Sequence, residues 1–128
     1  MHSFECRVYY EDTDLAGIVY YANYLKFIER ARSEWVRTLG IDQAQLKRDA
    51  GVVFAVRHLT ADYLSPAKFD DILRITTQVI ETSGARLVLD QRVLRGAVAL
   101  FEAKVTLVAI GANGAPARLP HALRAALA

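Results

Sequence analysis

No stretch of this 128-residue sequence stays apolar for the ~18 residues that a membrane-spanning helix needs. The segment from Met1 to Asp12 lacks the apolar centre of a signal peptide. The one cysteine, Cys6, has no partner for an internal disulfide, which fits a reducing compartment. Its expected part is that of a small packed strand residue. His2, His58 and His121 have no metal-ligand spacing, so no metal site is expected. Gly-x-Ser-x-Gly is absent, and so is a glycine-rich phosphate loop. Sixteen Lys and Arg against 14 Asp and Glu leave a formal charge of +2, which argues against duplex nucleic acid as a partner. What remains is the expectation of a soluble cytoplasmic protein.

Hydrophobic residues make up 53% of the chain, enough to exclude disorder. The length fits one domain over residues 1–128 with one core. The chain is organised around residues 9–39. There an acidic turn, Glu11-Asp12-Thr13-Asp14, passes through Gly17 into a long amphipathic helix that starts near Tyr21 or Ala22. Tyr20, Tyr24, Phe27, Ile28, Ala31, Trp35 and Leu39 recur in steps of three and four and form one stripe. Gly40 is placed to stop it.

The rest reads mostly as strands. Residues 3–10 form the first. Gln43 to Ala50 is a short helix, with Asp42 as N-cap and Gly51 as its stop. From Val52 the period becomes two. Val53, Ala55, Arg57, Leu59, Ala61 and Tyr63 share one face, and the strand ends at Ser65-Pro66. Ile72 to Thr82 and Arg86 to Arg95 form a hairpin across Ser83-Gly84, and Leu100 to Ile110 is the last strand. Leu119 to Ala128 reads as a terminal helix. This order predicts an α+β fold, with the helix packed on one face of an antiparallel sheet.

Asp14 is the candidate reactive group. It lies just before a helix start, whose free N–H groups carry partial positive charge. An acid beside such donors is what acyl hydrolysis needs, as general base or as nucleophile. Asp12 is assigned to the turn. His58 is read as a structural strand residue. Arg57, Lys68, Arg86, Arg92 and Arg95 are scattered cations, of which one or two are candidates to grip phosphates.

Val8-Tyr9-Tyr10-Glu11-Asp12-Thr13-Asp14, Gly17-x-Val19-Tyr20-x-Ala22-Asn23-Tyr24 and Glu29-Arg30-Ala31-Arg32 together closely resemble the hotdog-fold acyl-CoA thioesterases. The nearest branch is the YbgC type of the 4-hydroxybenzoyl-CoA thioesterase family. A second block agrees: Asp62-Tyr63-Leu64-x-Pro66-Ala67-x-Phe69-Asp70-Asp71. The resemblance implies a curved antiparallel sheet wrapped around the long helix, and subunits that join edge to edge. It assigns catalysis to Asp14 and carbonyl polarisation to the Tyr21 N–H. Gly17, Val19 and Asn23 belong to the same motif and are carried over as substrate-binding or supporting residues. At Tyr21 the chain departs from many YbgC-type members, which carry His, and is closer to the hydroxybenzoyl-CoA branch.

The expected function is hydrolysis of a short-chain or aromatic acyl-CoA, with no cofactor beyond the CoA of the substrate itself. The expected assembly is a homodimer or a tetramer of dimers. A rival reading is a non-catalytic acyl-CoA or acyl-carrier-protein binding module in an envelope or lipid-synthesis complex. An intact Asp14 speaks against it. A hydratase is a second rival. It would pair a His with an acid near the helix, and His2 is the only histidine before Gly51.

Overall fold

Helix α1 (Asn23–Thr38) buries Tyr24, Phe27, Ile28, Ala31, Trp35 and Val36 along one side. This computed structural model describes residues 1–126. The stripe read from the sequence therefore packs as expected, with two corrections. The helix begins at Asn23, with Ala22 as N-cap. Tyr20 lies before it and is 46% exposed. The cause is a turn: the Tyr20 N–H donates to the Asp12 carbonyl, and the Tyr20 carbonyl accepts from the Asn23 N–H. The helical period does not reach back through that turn. Gly40 follows the helix at φ +80°, the left-handed region where glycine carries no Cβ penalty.

Helix α2 (Gln43–Ala50) has the predicted caps. The Asp42 carboxylate accepts from the Gln45 N–H at 3.0 Å, and Gly51 is left-handed.

Strands β1 (His2–Arg7), β2 (Val53–Tyr63), β3 (Ile72–Ser83), β4 (Arg86–Arg95) and β5 (Val98–Ile110) form one antiparallel sheet in the order β1-β3-β4-β5-β2. β1 is shorter than the sequence predicts. After Arg7 the chain leaves the ladder for a 3-10 turn at Tyr10–Asp12, because the Asp12 carboxylate takes the Tyr9 N–H at 2.8 Å. A side-chain acceptor there outcompetes the strand ladder.

β2 corrects the face assignment. Its register to β5 passes from Val56↔Leu107 to His58↔Thr106, leaving Arg57 unopposed. This bulge shifts the alternation by one residue. Val52 and Phe54 pack on the core before it, Leu59 and Ala61 after it. Val53 is exposed, not on the Leu59 face.

Leu87, Leu89, Gln91 and Val93 of β4 face α1 and are buried. Gln91 has no solvent exposure and is fully used. Its amide nitrogen donates to the Ile28 carbonyl and the Thr77 hydroxyl, each at 2.9 Å, and its oxygen accepts from Arg32 at 3.0 Å. Such a satisfied polar group fixes the helix position over the sheet without an unpaired cost.

Helix α3 covers only His121–Arg124. Leu119 stays outside it, because its N–H donates to the Gly84 carbonyl and ties the segment to the β3–β4 turn. Leu119 and Leu123 close that end of the core. The last two residues of the predicted helix, 127–128, lie outside the described residues. No helix of the described residues is long and apolar enough to cross a membrane.

Candidate active site

The acidic motif folds into a small hairpin. Thr13 bridges Val19, the Asp14 N–H donates to the Ile18 carbonyl, and the Gly17 N–H donates to the Asp14 carbonyl. Gly17 takes φ +79° at the tip. The Asp12 carbonyl is the anchor: it accepts from the Tyr20 N–H at 2.9 Å and from the Asn23 side-chain amide at 2.9 Å. Asp12 thus braces the turn, and Asn23 ties the first turn of α1 to it.

Asp14 is exposed. One of its carboxylate oxygens accepts from the Ala16 N–H at 2.9 Å, and the other has no partner among the described residues. That oxygen is available to a water or to a carbonyl carbon.

A second segment, residues 64–71, packs on the hairpin. The Val19 N–H donates to the Ala67 carbonyl at 2.8 Å, and Ile18 bridges Lys68. The Ala67 N–H in turn donates to the Tyr24 hydroxyl at 3.0 Å, a buried bond reaching from α1. Asp71 clamps the segment by accepting from the Lys68 N–H at 2.9 Å and from Arg95 at 2.8 Å. Burial pushes the Asp71 carboxyl up. The Arg95 and Lys68 bonds outweigh that and hold it below its ordinary value.

Between hairpin and segment lies a cleft of about 310 Å³, lined by Ile18, Val19, Tyr21, Tyr24, Tyr63 and Leu64 among others. Its walls are mostly apolar. Asp14 does not line it but is one hydrogen bond away, through Ile18. A larger recess of about 480 Å³ lies at the opposite end of α1, around Arg37 and Asp42. It brings together none of the motif residues, and chemistry outranks size here.

Neither the Tyr21 N–H nor the Ala22 N–H has an acceptor among the described residues. No side chain caps the start of α1. The structure therefore brings Gly17, Val19, Tyr21 and Asn23 into one unit with Asp14. Gly17 shapes the turn, Val19 is 3% exposed in the cleft wall, and Asn23 braces. The sequence reading passed over Tyr63, Ala67 and Asp71 as site residues and held Arg95 only as a candidate phosphate contact, whereas it is spent on Asp71. The sequence signal of the first three was the block from Asp62 to Asp71.

Arg86 pairs with Glu81, Arg92 with Asp90 and Glu102, and Arg95 with Asp71. Arg57 and Lys68 have no carboxylate within ion-pair distance among the described residues. His58 is exposed on β2, as a strand residue. Burial raises the Cys6 pKa, so its thiol stays protonated and unreactive. No group of three or more possible metal ligands occurs among the described residues.

The family model of the Thioesterase superfamily matches residues 16–102. The chain belongs to that superfamily. The match starts after Asp14, but relatives extend the likeness across it. The acyl-CoA thioesterase YbgC of Haemophilus influenzae is 44% identical over 126 residues, covering 97% of this chain and 92% of that protein. The acyl-CoA thioester hydrolase YbgC of Escherichia coli O6:H1 is 43% identical, over 81% of this chain and 78% of its own. A probable thioesterase structure from Bartonella henselae superposes with a TM-score of 0.89 at 40% identity, covering 93% of this chain and 98% of that one. The sheet wrapped on one long helix is the hotdog fold of these thioesterases.

Proposed function

We propose that this superfamily member hydrolyses an acyl-CoA, short-chain or aromatic, to free acid and CoA. The observation that carries this reading is the pair of unpartnered N–H groups at Tyr21 and Ala22, of which Tyr21 lines an apolar cleft beside the Asp14 hairpin. The names of the YbgC relatives support the substrate class.

The thioester carbonyl lies against the Tyr21 N–H, and the acyl group takes the apolar side. Asp14 removes a proton from water, which attacks the carbonyl carbon; in the alternative, the carboxylate attacks first and water cleaves the anhydride. Negative charge grows on the carbonyl oxygen, where the helix-start N–H donor stabilises it. The C–S bond then breaks and CoA leaves as the thiolate. A thiolate is a good leaving group, so no dedicated acid, metal or cofactor enters the scheme.

A hydrolysis screen with a free-thiol readout tests the proposal. It runs aliphatic chain lengths and benzoyl-CoA, and the same acyl groups on acyl carrier protein. No thiol release from any acyl-CoA would overturn it.

The phosphates of CoA carry too much charge for an apolar cleft and belong near free cations. Of the five candidate cations, Lys68, bridged to Ile18, and Arg57 are the two that lack ion-pair partners among the described residues. Charge reversal at these positions should raise KM for acyl-CoA several-fold and leave kcat nearly unchanged. Unaltered KM in both variants would place the phosphates elsewhere.

β2 is an outer strand whose far edge is unpaired among the described residues, with Val53, Val56 and Tyr63 exposed along it. An open edge of this kind favours pairing with a second copy. Light scattering at micromolar concentration should give at least twice the monomer mass; a monomer would contradict the assignment.

A further inference from the structure

Two consecutive peptide units carry the free N–H groups of the site. The first, Tyr20–Tyr21, is held by its carbonyl, which accepts from the Asn23 N–H at 2.8 Å. The second, Tyr21–Ala22, is held by a side chain from elsewhere in the fold. The Tyr63 hydroxyl donates to the Tyr21 carbonyl at 2.9 Å, across 42 positions of sequence. A peptide is planar, and its N–H points opposite to its C=O. Fixing the carbonyl therefore fixes where the next N–H points. A hydrogen bond accepted by the carbonyl also polarises the amide and strengthens its N–H as a donor.

Tyr63 is well placed to do this. It is the last residue of β2 and pairs with the fully buried Phe101 of β5. Its ring meets Phe101 edge-on at 5.1 Å, Tyr24 at 5.5 Å and Tyr21 at 6.1 Å between centroids. Three neighbours thus set the ring before the hydroxyl makes its bond. Burial first, and then Tyr21 and Tyr24, raise the Tyr63 pKa above that of an ordinary phenol. The proton to be donated stays on the oxygen at neutral pH.

We infer that Tyr63 is a positioning residue for the oxyanion site, holding the Tyr21–Ala22 peptide so that its N–H is a second oriented donor beside that of Tyr21. The inference rests on the acyl-transfer reading of the site. Tyr63 does its work through the backbone and takes no proton from the substrate.

The test is Tyr63→Phe, which removes the hydroxyl and keeps the ring. kcat for acyl-CoA hydrolysis should fall about tenfold, less than the loss of a whole oxyanion donor. KM should stay within about twofold, and the melting temperature should be little changed. The amide resonance of Ala22 should move, while that of Ala67, bonded to the Tyr24 hydroxyl, stays. Unaltered kcat overturns the inference, and so does a raised KM at constant kcat, which would make Tyr63 a wall contact only. An unmoved Ala22 resonance overturns it as well. Asp14→Asn, assayed alongside, separates the two ideas. Full activity there with a slowed Tyr63→Phe removes the carboxylate role and keeps the positioning role.

Discussion

Asp14→Asn should lower kcat for acyl-CoA hydrolysis by about two or more powers of ten, or at least about 2.7 kcal/mol of transition-state stabilisation. The substitution is well matched to the site. Asn keeps the size and still offers an oxygen to the Ala16 N–H, so the turn survives. It loses the charge, and with it both a base and a competent nucleophile. Binding of a non-hydrolysable acyl-CoA analogue should persist, since neither the proposed acyl cleft nor the proposed phosphate contacts include the Asp14 carboxylate. Asp12→Asn should be milder, because the Asp12 backbone carbonyl, not its side chain, anchors Tyr20 and Asn23. Tyr21→Phe should also be mild, since its contribution is assigned to the backbone. Hydrolysis rates of a short acyl-CoA and of benzoyl-CoA by all three variants check this. Full activity in Asp14→Asn removes the mechanism, and a large loss in Tyr21→Phe brings the phenol into the chemistry.

The largest stability effect is expected at Trp35, which is 7% exposed within the core cluster. Truncation of a buried Trp to Ala costs about 3–5 kcal/mol, or roughly 10–20 °C in melting temperature for a chain of this size. Trp35 stands three turns beyond the start of α1, roughly 18 Å along the axis. Well below the melting point kcat should therefore be retained. Thermal melts and assays at low temperature measure both quantities. An unchanged melting temperature would mean that the stripe faces elsewhere.

Elements whose limits rest on local chemistry were legible in the sequence. Asp42 and Gly51 mark the ends of α2, and the bounds of β4 match the expected ones, because caps and tight turns are written in neighbouring residues. The site motif was legible through its resemblance to known thioesterases. Tyr20 was misplaced because its carbonyl is spent on Asn23, a turn that mimics helical spacing. The faces of β2 were misread because a bulge leaves no mark in an alternating pattern; it shows only against β5. Tyr63 was passed over for the same reason. On its own strand it is one more aromatic residue, and its hydroxyl acquires a role only when residue 21 is brought to it.

The bulge at Arg57 has a bearing on how further chains meet this molecule. Its residue stands out of step with the ladder and carries a charge on the outermost strand. The edge is thereby divided into two short runs, 53–56 and 58–63. A strand sliding along it finds no continuous template, and a shift by one residue sets the interruption against the incomer's own regular spacing. Open-ended stacking of copies into fibrils is penalised, whereas a two-fold pairing needs to satisfy only one register. For any chain that does pair there, a single unopposed residue would serve as a registration mark.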